Sequence, residues 1–159
     1  MKQKAYLFSA LAFIAASFFL VSFSHAESAG DDHAPWMTDF DAAKAKAKAE
    51  NKAMLVDFTG SDWCGWCIKL DKEVFSKAAF KDYASENLVL VEIDFPRKKE
   101  QSAELKAQNQ ALAEKYGIRG FPTILIMDGD GKVLKKTGYR RGGPEKYVEH
   151  LKGILAGKG

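Results

Sequence analysis

Residues 56–67 read Val56-Asp57-Phe58-Thr59-Gly60-Ser61-Asp62-Trp63-Cys64-Gly65-Trp66-Cys67. They end the apolar run Ala53–Thr59, which holds Met54, Leu55, Val56 and Phe58 and is interrupted only by Asp57. Such a short run reads as a strand buried on both faces. A turn follows, then a helix that begins near Cys64, reaches Phe75 and continues in a second piece to Ala84. The two cysteines of the chain therefore sit where a strand hands over to a helix.

Working outward, Thr38 or Asp39 caps a helix running to about Asn51. Lys44, Lys46 and Lys48 lie on it at a spacing of two, so successive side chains point about 200° apart and form no basic face. Leu88–Phe95 reads as a second buried strand. Glu100–Tyr116 reads as a helix with Leu105, Leu112 and Tyr116 on one side, closed by Gly117. Thr123–Met127 and Lys132–Thr137 are two more strands, joined as a hairpin through Asp128-Gly129-Asp130-Gly131. That loop lacks the third acid and terminal Glu of a calcium loop. Gly143-Pro144-Glu145 starts a last helix with Pro at its first position, with Tyr147, Leu151, Ile154 and Leu155 on one side. The order αβαβαββα, without internal repeats, describes one α/β domain.

The 159 residues are 47% hydrophobic and carry a net charge of +3. Both averages are skewed by residues 1–26, which hold two Lys, no acid and 18 apolar residues. The remainder carries 22 Lys and Arg against 21 Asp and Glu, too balanced for a nucleic-acid binder. Lys2 and Lys4 precede a 19-residue apolar run, Ala5 to Phe23, and Ser24-His25-Ala26 offers small residues at a cleavage site. This is the layout of a cleaved signal peptide, with an uncleaved N-terminal anchor as the alternative. Residues 27–35 read as a flexible arm and 36–157 as the domain. Periplasmic or otherwise exported, that domain meets an oxidising compartment.

Two thiols at a CxxC spacing admit several chemistries. A c-type haem needs His after the second Cys, and position 68 is Ile. Zinc needs four ligands, and after the leader only His33 and His150 accompany the thiols. A structural disulfide closing so small a loop gains little chain entropy. Redox chemistry fits better, because a helix N-terminus favours the attacking thiolate. Cys64 is then the nucleophile, and Cys67, one turn on, resolves the mixed disulfide. Trp63 and Trp66 flank the pair as an apolar docking surface, or are ordinary core aromatics. No metal or cofactor is expected, since the electrons reside in the cysteines.

The segment Val56-Asp57-Phe58 through Cys64-Gly65-Trp66-Cys67, with Gly120-Phe121-Pro122-Thr123 downstream, resembles the thioredoxin superfamily. Asp57 to Cys64 and Lys69-Leu70-Asp71-Lys72-Glu73-Val74-Phe75 resemble its exported bacterial members more closely, and the similarity runs from about Trp36 to Ala156. The resemblance implies a thioredoxin fold, with a central mixed sheet flanked by helices on both faces. It implies a cis-proline at Pro122 facing the cysteines, with Phe121, Pro122, Trp63, Gly65 and Trp66 contacting substrate. It also implies that Asp57 is a buried acid relaying protons to the second cysteine, with a raised pKa. Two departures stand out. The stretch from Asp57 to Cys64 is one residue longer than in typical thioredoxin, and Leu90 occupies the position of a lysine partner for the acid.

The expected function is an exported thiol–disulfide oxidoreductase acting on proteins with thiols or disulfides. It is expected to be a monomer that binds no nucleic acid, with a membrane electron-transfer or re-oxidising partner. The direction of electron flow stays open. The rival is a non-catalytic binding or chaperone module of the same fold.

Overall fold

The computed structural model describes residues 35–157. The expected leader, 1–26, and all but the last residue of the arm lie outside them. The first helix, α1 (Phe40–Glu50), is capped by Asp39, whose side chain accepts a hydrogen bond from the Ala42 amide. It ends at Asn51 in the left-handed conformation. Lys46 pairs with Glu50 at 2.7 Å and Lys48 with Asp130 at 2.8 Å, so these lysines are neutralised one by one.

Four strands form a mixed sheet in the order β2-β1-β3-β4. β1 (Ala53–Thr59) runs parallel to β2 (Leu88–Asp94), with Asp57 opposite Glu92 and Thr59 opposite Asp94. β3 (Thr123–Met127) is antiparallel to β1, and β4 (Val133–Thr137) is antiparallel to β3. Asp128 closes the hairpin, its Oδ1 accepting from the Asp130 and Lys132 amides. The free edge of β2 is covered by Met37, which bonds the Leu90 carbonyl and the Glu92 amide.

Successive strand residues face opposite ways, and both sides of β1, β2 and β3 are buried, which explains why these three strands read as mostly apolar runs. Met54, Val56, Phe58, Val89, Val91 and Ile93 pack with Phe40 of α1 and Leu112 of α4 (Ala103–Lys115). Leu55, Leu88, Leu90, Ile124 and Ile126 pack with Phe80 of α3 (Ala78–Asn87) and with Tyr147 and Leu151 of α5 (Gly143–Leu155). Each fully buried large side chain contributes about 1.5–3 kcal/mol of burial. This second face becomes polar toward the ends of β1 and β2, at Asp57, Thr59, Glu92 and Asp94. The helices on both faces match the expected thioredoxin fold.

Several boundaries differ from expectation by one to three residues, α3 running on to Asn87 where Ala84 was expected, and two helices differ in a way that matters for the site. The helix after Cys64 is α2 (Gly65–Leu70), which widens into a π-helical turn at Asp71–Phe75. The wider turn brings consecutive Val74 and Phe75 both into the core. The helix expected from Glu100 begins at Ala103, because Ser102 takes the cap by accepting from the Leu105 amide. Residues before it are held back toward the loop between β1 and α2.

Candidate active site

Cys64 and Cys67 form a disulfide with Cα atoms 5.2 Å apart. Cys64 is the N-cap of α2, and its Sγ accepts from the Cys67 amide at 3.2 Å. Both are nearly covered, at 7% and 4% exposure. The turn before them is built on Gly60, whose carbonyl accepts from the amides of Trp63 and Cys64. A Cβ on Gly60 would lie 2.6 Å from the Trp63 ring, so only glycine fits. No such crowding surrounds exposed Gly65.

The turn is held by two acids that the sequence reading did not single out. Asp94, at the end of β2, accepts from the Ser61 amide at 2.8 Å and bonds its hydroxyl at 2.6 Å. Asp62 accepts from the backbone amides of Arg97, Lys98 and Lys99, which hold its carboxyl below the usual range. The additional residue between Asp57 and Cys64 is thus accommodated in a turn braced against the segment after β2. Trp63 donates through Nε1 to the Phe95 carbonyl at 2.7 Å and meets Phe121 edge-on. It is half-buried and serves the scaffold.

Trp66 is 54% exposed and its neighbour Ile68 47%. Its ring lies 5.2 Å from Tyr139, with the Lys69 ammonium over both rings. Tyr139 in turn donates to Glu73 at 2.6 Å. The Phe121-Pro122 peptide bond is cis, and Phe121 stacks between Phe95 and Trp63. Trp63, Phe121 and the cysteine turn are therefore gathered at one end of the sheet, with Pro122 next in the chain.

Behind Cys67 lies a cleft of about 320 Å³ whose wall includes Asp57, Thr59, Ser61, Cys67, Asp71, Glu92 and Lys99. Asp57 is 7% exposed, and its Oδ1 is buried with no hydrogen-bond partner. Burial first, then the charges of Glu92, Asp94 and Asp71, pushes the Asp57 carboxyl well above the usual carboxylate range. Burial likewise raises Glu92, with Asp94 and Asp71 adding to it and Lys99 opposing. Leu90 lies in the core and offers Asp57 no charge. The place across the strand pair is taken by an acid instead. Glu92 was missed because its proximity depends on the register between β1 and β2. Its break in the apolar run of β2, matching the break at Asp57 in β1, was the available signal.

Residues 40–152 match the model of the thioredoxin-like domain. The chain belongs to that family. This thioredoxin-like chain is 39% identical over 109 residues to the disulfide bond reductase DsbH of Chlamydia pneumoniae, covering 69% of this chain and 66% of that protein. It is 30% identical to the thioredoxin-related protein DsbJ of the same organism, over 80% of this chain and 37% of DsbJ. To the thiol:disulfide interchange protein DsbD of Pseudoalteromonas atlantica it is 32% identical, over 75% of this chain and 19% of DsbD. The chain thus spans no more than two thirds of the length of these relatives. Its structure superposes on a DsbH oxidoreductase with a TM-score of 0.74 at 36% identity, covering 78% of this chain and 85% of the other. A thioredoxin from Thermus thermophilus shares the fold, with a TM-score of 0.56 at 17% identity over 76% and 86% of the two chains.

Proposed function

We propose that this thioredoxin-like protein is an exported thiol–disulfide oxidoreductase that reduces disulfides in other proteins. The observation that carries the reading is the Cys64–Cys67 disulfide at the start of α2. Relatives bearing the names disulfide bond reductase and thiol:disulfide interchange protein support it.

The reduced dithiol opens the cycle. The Cys64 thiolate, favoured at the helix start, attacks one sulfur of the substrate disulfide. That S–S bond breaks, a Cys64–substrate mixed disulfide forms, and the other substrate sulfur leaves to take up a proton. Cys67 then loses its proton and attacks Cys64 Sγ, closing the Cys64–Cys67 bond and releasing the second substrate thiol. Two electrons pass from the chain to the substrate, and the two substrate sulfurs that leave take up their protons from solvent. Asp57 lines the same cleft as Cys67, and its raised pKa suits it to take that proton near neutrality and return it on re-reduction. Trp66, Gly65, Phe121 and Pro122 form the surface on which the substrate chain rests.

The reducing direction has a physical basis. A pair becomes more oxidising as its reduced form is stabilised. The acids behind Cys67 oppose a thiolate there, so they destabilise charged reduced forms and favour electron donation. The leader pattern of residues 1–26 supports export, and a reductant there requires a membrane partner that supplies electrons. The test is trapping. Cys67→Ser is expected to accumulate mixed disulfides with disulfide-containing proteins, and Cys64→Ser to accumulate none. A blank for both variants, together with no acceleration of disulfide reduction by the wild type, would favour a non-catalytic binding module.

A further inference from the structure

The chain has twenty lysines but only four arginines, Arg97, Arg119, Arg140 and Arg141. The lysines are scattered over helices, strands and loops. The arginines all lie in loops, each within two residues of a contact to Trp63 or Trp66. Arg97 stacks over the Trp63 ring, with its guanidinium carbon 3.8 Å from the ring centre. It is placed there by Asp62, which grips the amides of residues 97–99. Arg119 lies two residues before Phe121, whose ring meets Trp63. Arg140 and Arg141 follow Tyr139, whose ring meets Trp66. They also line a second cleft, of about 310 Å³, with Lys146, Glu149 and His150.

All four are exposed, and among the described residues none is within 4.0 Å of a carboxylate. Three acids of the active-site region are already occupied. Asp62 is held by three backbone amides, Asp94 by Ser61, and Glu73 by Tyr139 and Lys69. Beside Tyr139, the residue before Arg140, Trp66 presents apolar surface to solvent.

We propose that this rim is a docking surface for acidic polypeptide, and that it selects disulfides flanked by Asp or Glu. The proposal rests on the oxidoreductase reading above and names the substrate class for that same site. Guanidinium groups suit the task because their planar fork pairs two-pronged with a carboxylate and is weakly hydrated. The domain is nearly neutral as a whole, so the field is local to this face and acts at encounter. Apolar contact at Trp66 then holds the segment next to the cysteine under attack.

The experiment uses the pre-reduced protein and two synthetic peptides with the same intramolecular disulfide, one flanked by glutamates and one by lysines. Acid quenching, thiol alkylation and mass spectrometry give the rate of reduction of each. At low ionic strength the glutamate peptide is expected to react about tenfold faster. The advantage should vanish near about 1 M salt, where screening acts within about 3 Å. Arg140→Glu/Arg141→Glu is expected to collapse or reverse the ratio, and Arg97→Glu to reduce it. The ratio is unaffected by a general loss of activity, so a damaged variant does not imitate the result. Equal rates in the wild type, or an undiminished preference in both variants, would overturn the proposal alone. Failure to reduce either peptide would overturn the oxidoreductase reading along with it.

Discussion

Cys64 and Cys67 are three residues apart and look onto opposite surroundings. On the Cys64 side are the helix start, the exposed ring of Trp66, and loops carrying Arg97, Arg119 and Arg140. On the Cys67 side is a cleft walled by Asp57, Asp71 and Glu92, with Lys99 the counter-charge at its edge. The front is cationic, apolar and open to a partner. The back is a mostly acidic cleft. In the proposed mechanism the first side admits substrate and the second handles protons.

The largest effect that would break this division comes from the cysteines themselves. Cys64→Ser should reduce disulfide exchange to the uncatalysed background, whereas Cys67→Ser should leave attack intact and stop the cycle at the mixed disulfide. Non-reducing gels with mass spectrometry check both. Trapping at Cys64→Ser instead would reverse the assignment of front and back.

Next comes Asp57→Asn, which removes the proposed proton acceptor from the back. The resolving step should slow about a hundredfold or more near neutral pH, read as persistence of the mixed disulfide in single-turnover experiments. The same variant should be more stable than the wild type by about 1–3 kcal/mol at neutral pH in thermal melts. The sign follows from the raised pKa. The folded state holds the Asp57 proton more tightly than the unfolded chain, so wild-type stability falls as pH rises from the ordinary carboxylate range to the raised value. The gap between variant and wild type should therefore close as pH drops below about 4.

Glu92→Gln should act in the same direction and more weakly. Removing one of the charges that raise Asp57 should move the pH profile of the resolving step to lower pH. An unchanged profile would remove Glu92 from the proton compartment. The smallest effect is expected at Trp63→Phe, which deletes the Nε1 hydrogen bond to the Phe95 carbonyl. It should cost about 1 kcal/mol of stability and leave the order of the two cysteines unaltered.

The cysteine pair, its flanking residues and the buried Asp57 were legible in the sequence, and the acids around Asp57 and the arginines were not. Cys64, Cys67, Trp66 and Pro122 lie in contiguous motifs, so spacing and resemblance located them. The strands were legible because both faces of the sheet are covered, giving short apolar runs at Ala53–Thr59 and Thr123–Met127. That same double burial hid which face each residue takes, since no polar alternation marks it. Glu92 joins Asp57 only through the parallel register of strands some 35 residues apart in the chain, which local pattern does not encode. Asp71 depends on a π-helical turn that no propensity announced. The early start assigned to α4 arose because Glu100 and Gln101 are good helix formers. Gln101 instead donates to the Asp94 carbonyl, and the preceding backbone is tied to Asp62.

The reduction potential of the Cys64–Cys67 pair tests the central claim most directly, because it integrates both sides. If the acidic back outweighs the helix start, equilibration with a glutathione or dithiothreitol buffer should place the pair near the about −270 mV of a reducing thioredoxin. A value near the about −120 mV of a strong oxidant would contradict the account. It would mean that the front alone sets the chemistry.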